Sequence, residues 1–168
     1  MRKFISLWLL WVPLVWLSGC SPEYNWRELS VADDRAAVMF PARTQTEQRK
    51  IDVQGLILAF SLTSAAVGDA VFSIGYASLD ETVSPAQAQM LVDAFVQALY
   101  RRVGQSVPAQ AAAGEVFTLE TAVNGRPSRL LGRVLVHRGM LIQVVVSGPT
   151  QSLSRENASE FMRSLVLR

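Results

Sequence analysis

The chain has 168 residues, half of them hydrophobic, with a single cysteine and a single histidine. Its formal charge of +2 rests on 16 basic and 14 acidic residues. One cysteine excludes an internal disulfide framework, and one imidazole without spare thiols argues against a structural zinc site.

Arg2 and Lys3 form a short positive segment, followed by an apolar run from Phe4 to Leu17 that is broken only by Ser6 and Pro13. A bilayer-spanning helix needs ~20 apolar residues, so this run is too short, and its internal proline weakens it further. Positive start, short apolar middle and small residues at the end make the layout of a secretory signal peptide. The run closes on Leu17-Ser18-Gly19-Cys20.

That closing tetrapeptide resembles the lipobox of bacterial lipoproteins. The resemblance implies cleavage between Gly19 and Cys20, a diacylglycerol on the Cys20 thiol and an acylated new amino terminus. It also implies membrane anchoring through two or three acyl chains, since a single one holds only marginally. Ser21 in place of aspartate points, by the same resemblance, to the periplasmic face of the outer membrane. Residues 1–19 are thus expected to be a signal peptide, and residues 20–35 a lipidated tether. An uncleaved signal anchor with an incidental cysteine is the simpler alternative.

Removal of residues 1–19 takes Arg2 and Lys3 away, leaving 14 of the 16 basic residues against 14 acidic ones. A neutral mature chain gives no electrostatic reason to expect nucleic acid as a partner. Its 149 remaining residues, the 168 less the first 19, suit one domain with one core. Within the tether, Tyr24 and Trp26 could sit at a lipid interface, but packing on the domain's edge is the expected position.

Residues 36–168 read as a single α+β domain, expected to fold without the anchor, the tether or a metal. Ala36 to Phe40 is an apolar strand stopped by Pro41, and Ala42 to Arg49 a polar loop. Lys50 to Leu62 reads as one alternating strand, with Ile51, Val53, Ile57 and Ala59 on one side and Gly55 as a bulge. Asp69 to Leu79 pairs with it through a turn at Val67-Gly68-Asp69. Ser84-Pro85-Ala86-Gln87 then opens a helix with a capping box, its stripe running through Leu91, Phe95 and Leu99 to a stop at Gly104. An alanine-rich loop, Gln105 to Gly114, leads to strands at Glu115 to Val123, Ser128 to His137 and Met140 to Ser147. Asn124-Gly125 and Arg138-Gly139 are their hairpin turns. A last helix starts at Ser152 or Ser154 and turns Ala158, Phe161, Met162 and Leu165 inward.

Tight turns favour antiparallel pairing, so the expected fold is a mainly antiparallel six-stranded sheet packed by two helices. Phe40-Pro41 after the first strand, the hairpin, the long middle helix and the closing Phe161-Met162-Arg163-Ser164-Leu165 resemble the PsbP-like α/β/α sandwich. That resemblance covers residues 36–168. It implies a binding or assembly module and carries over no active-site residue.

The residues that could do chemistry are few. His137 lacks a Gly-x-Ser-x-Gly partner for hydrolysis and stands beside a turn, where a solvated residue is the default. The carboxylates Asp33-Asp34, Asp80-Glu81, Glu115, Glu120, Glu156 and Glu160 are scattered, so neither acid–base catalysis nor a metal is expected. No cofactor is implied. Arg126, Arg129, Arg133 and Arg138 lie on one hairpin, with Arg101-Arg102 at the helix end, and together could meet headgroups, an anionic glycan or an acidic partner. A solvated charged edge is the plainer reading. The sequence therefore points to a lipid-anchored envelope protein, a non-enzymatic binding or accessory module with a possible envelope protein partner. The alternative is a small-ligand or lipid carrier with a pocket between sheet and helices.

Overall fold

The computed structural model describes residues 24–108 and 114–168, so the lipidation and cleavage positions Cys20 and Gly19 lie outside the described residues. The fold is α+β. Its main sheet is antiparallel and six-stranded, in the order β3-β4-β5-β8-β7-β6. The strands are β3 (Gln45–Val53), β4 (Leu56–Val67), β5 (Ala70–Ser78), β6 (Phe117–Val123), β7 (Arg126–His137) and β8 (Met140–Pro149). A smaller three-stranded sheet, β1-β2-β9, joins β1 (Arg27–Val31), β2 (Ala36–Phe40) and β9 (Val166–Leu167). The helices are α1 (Pro85–Arg102) and α2 (Arg155–Arg163).

Alternation along the central strands builds two cores back to back. On β8, Ile142, Val144 and Val146 face a core closed by α2 and the small sheet, while Leu141 and Val145 face a core closed by α1. A strand buried on both faces should read as a near-continuous apolar run, and β8 does from Met140 to Val146, with Gln143 its one break. Leu91, Val92, Phe95, Val96, Leu99 and Tyr100 of α1 fill the second core. Phe161 joins the first, with Phe40 and Phe72 at ring-centroid distances of 5.4 and 5.3 Å. On the α1 side two glycines let aromatic rings lie on the neighbouring strand. A Cβ on Gly75 would stand 2.2 Å from Phe60 Cζ, and one on Gly132 would stand 2.5 Å from Phe117 Cζ.

The local signals with a mechanism hold. Ser84 Oγ accepts the Gln87 N–H while Gln87 Oε1 accepts the Ser84 N–H, closing the capping box ahead of Pro85. Asn124-Gly125 and Arg138-Gly139 both take positive φ at consecutive positions, as a two-residue hairpin turn requires. Ser154, rather than Ser152, caps α2.

Three expectations are corrected. Lys50 to Leu62 is not one strand, because Gln54 (φ 56°) and Gly55 (φ 83°) form a hairpin turn instead of a bulge. The turn resets the alternation: Ile51 pairs with Leu58 and shares its core, while Ile57 is left 72% exposed. The polar stretch expected to be a loop supplies most of β3, an edge strand whose charged residues face water and discourage pairing with another sheet. The six-stranded sheet is therefore reached with a different membership, since Ala36–Phe40 belongs to the small sheet.

Finally, the described part of the tether expected over 20–35, residues 24–35, contributes folded structure. Residues 27–31 pair with 36–40 in register Arg27↔Phe40 to Val31↔Ala36. Tyr24 and Trp26 stack at 5.8 Å and both meet the edge of Phe72. Packing on the domain, not exposure to lipid, is their position.

Candidate functional site

The four hairpin arginines do not share one face. Side chains alternate along β7, and twelve residues separate Arg126 from Arg138, roughly 40 Å along a strand. Arg138 sits exposed in the turn at the far end, with φ 46°.

Arg129 is only 8% exposed and bonded on two sides. Its Nε donates to Glu120 Oε1 at 2.8 Å, across the β6–β7 pair, and its Nη1 donates to the Leu153 carbonyl at 3.3 Å. Arg155 approaches the same carboxylate oxygen at 3.7 Å. This guanidinium ties β6, β7 and the segment before α2 together. Replacing it by alanine leaves the carbonyl of the buried Leu153 without that donor, so Arg129→Ala should destabilise the fold by about 1–3 kcal/mol in a chemical-denaturation midpoint. An unchanged midpoint would show that the side chain is dispensable to packing.

Arg133 has a local task as well. Pairing of β6 with β7 begins at Phe117↔Gly132, so Arg133 lies where β6 no longer covers the strand. Its Nε donates to the Gly114 carbonyl at 2.7 Å, while the Gly114 N–H donates to Val134 O at 2.9 Å. The two bonds hold the end of the α1–β6 connection against the open edge of β7.

Arg126 differs. Its Nη1 pairs with Asp69 Oδ2 at 3.2 Å, both side chains are about 60% exposed, and such a pair contributes little. Arg102, the last residue of α1, lines the same cleft of about 300 Å³, along with Val71, Val123 and Gly148. The structure thus brings Arg102 and Arg126 together; Arg129 borders the same cleft with its guanidinium bonded to Glu120 and Leu153, while Arg133 and Arg138 lie elsewhere.

His137 Nε2 lies 3.3 Å from the Arg168 carbonyl oxygen, next to a turn, and among the described residues it is joined to no serine–acid pair. Among the described residues no group of three or more His, Cys, Asp or Glu could hold a metal ion. The Glu156 carboxyl, in the first turn of α2, is held below its ordinary range by a backbone N–H and then by the Ser154 hydroxyl. Its exposure and its place at a helix start account for it without a catalytic role. The layer between α1 and the sheet is filled by side chains, and larger grooves lie at its rims. One of about 560 Å³ runs beside the start of α1, along Leu79, Val83, Val92 and Leu135.

Asp69 was not among the expected site residues, and its turn position gave no sign that it would meet Arg126 across the sheet end. Compared with known proteins, the chain matches no family model, no curated protein and no solved structure.

Proposed function

We propose that this chain is a lipid-anchored bacterial envelope protein, held through an acylated Cys20 at the periplasmic face of the outer membrane. Its α+β domain, read as a PsbP-like sandwich, serves as a non-enzymatic binding or accessory module for an envelope partner. The observation that carries the reading is Leu17-Ser18-Gly19-Cys20, following a charged start and a short apolar run, with Cys20 the one cysteine of the chain. The fold supports it in one respect. The first described residue, Tyr24, already packs on the core, so the anchor position lies only four residues from folded structure.

The test is direct. Cys20→Ser should abolish incorporation of a fatty-acid analogue and leave full-length precursor on a gel. Normal labelling of that variant would refute the anchor. His137 belongs to the same reading: it faces a main-chain carbonyl, so it is assigned to the end of β7 and not to a reaction.

A further inference from the structure

We propose that the domain docks one end of its main sheet onto the bilayer, with Arg102 and Arg126 on anionic phospholipid headgroups and Val71 and Val123 against the interface. The inference rests on the acylation of Cys20 proposed above and adds an orientation and a lipid class to it.

The geometry starts from where the chain enters the fold. The Tyr24 hydroxyl donates to Ser152 O at 2.9 Å, and Ser152 lies 4.0 Å from the position of a Cβ on Gly68, in the β4–β5 turn. The next residue of that turn, Asp69, pairs with Arg126. The Thr150 N–H donates to Pro127 O at 3.0 Å, which joins the β8–α2 segment to the start of β7. Tyr24, the β4–β5 turn and the Arg126 cleft therefore occupy the same end of the sheet.

The four residue steps from Cys20 to Tyr24 reach at most ~14 Å. With the sheet end so short a distance from the acyl chains, the cleft is presented to the bilayer. That end carries what an interface accepts. Val123 and Val71 are 55% and 43% exposed, unusual for valines in strands. Arg102 and Arg126 flank them, and Arg43 is exposed two residues beyond Pro41, whose carbonyl accepts the Asn25 N–H. Asp69 is the acid among them, and its exposed pairing with Arg126 is weak enough to exchange for a phosphate. Arginine binds phosphate in a planar, two-bonded fork, which favours an anionic headgroup over a neutral one.

The experiment uses the mature lipidated protein, purified from membranes and reconstituted into phosphatidylcholine vesicles with or without phosphatidylglycerol. The parent chain is first titrated with a thiol reagent. A fluorophore is then placed on V123C or, as a control, on V136C, whose position lies near the end of β7 remote from Arg126 and is 36% exposed. Quenching by a spin-labelled lipid should be strong at V123C, require phosphatidylglycerol, fall with salt and be absent at V136C. Adding R102E and R126E should lower the ratio of docked to undocked protein at least about tenfold, since each basic residue near an anionic surface contributes roughly a factor of five.

Equal quenching at the two labels, or no response to R102E and R126E, overturns the docking while a blocked Cys20 leaves the anchor standing. A freely reactive Cys20 in the parent removes the anchor, and the docking with it. Protection of V123C in native membranes but not in vesicles would assign the face to a protein partner and overturn the proposal.

Discussion

A fragment beginning at Ala36 should lose the cooperative melt that a fragment beginning at Tyr24 retains. Residues 24–35 supply β1 and leave Val31 and Ala32 buried, with Leu29, Trp26 and Tyr24 packed on the core beneath. Their removal uncovers β2, where Ala36, Ala37 and Val38 are wholly buried. It also strips two rings from Phe72. Each large aromatic buries ~150–250 Å², worth several kcal/mol at ~25 cal/mol per Å², against the ~5–15 kcal/mol that holds a domain together. The expectation that residues 36–168 suffice is thus set against a boundary at Tyr24. Calorimetry of the two fragments decides it, and a cooperative, unshifted transition for the shorter one would disprove the role given to β1.

Among single truncations of buried aromatic residues, Phe161→Ala should be the most damaging. Phe161 is fully buried between Phe40 of the small sheet and Phe72 of the large one, so it joins α2 to both. Truncation of such a ring costs ~3–5 kcal/mol, which lowers the melting temperature by roughly 10 °C in a domain of this size. Phe95→Ala, in the α1 core against Phe60, should follow in the same direction. His137→Ala, at its turn, should stay within ~0.5 kcal/mol. A Phe161→Ala protein as stable as the parent would mean that the first core does not depend on the helix packed over it.

Signals that act within a few residues were legible in the sequence, and those that depend on distant pairing were not. The capping box at Ser84 and the turns at Asn124-Gly125 and Arg138-Gly139 are local chemistry, and the helix stripe through Leu91, Phe95 and Leu99 is local periodicity. The β3–β4 turn escaped because Gln54 is an unusual residue at positive φ, so only Gly55 marked it. Reading through it joined Ile51 and Ile57 on one side, although the turn places them on opposite ones. β1 escaped because Arg27-Glu28-Leu29-Ser30-Val31 is a weak strand by composition, and its register is supplied by β2. Arginine spacing on β7 likewise could not show that Arg129 would turn inward to Glu120 and Leu153. Only the third dimension separates a buried guanidinium from an exposed one.

The position of β2 has a consequence for the life of the chain before it is a folded protein. On one edge β2 pairs with residues 27–31, and on the other Ala36 and Ala37 pair with Leu167 and Val166, while the Arg168 N–H donates to Arg35 O at 2.8 Å. A nascent chain cannot close the small sheet until residues 166–168 have been made and have left the ribosome, and contacts so distant in sequence form slowly. If the first nineteen residues direct export, that delay keeps the polypeptide threadable through a translocation channel until it has crossed. Ribosome-stalled chains ending before Ser164 should accordingly stay open to protease, and early protection of such chains would show that the sheet does not wait for its last strand.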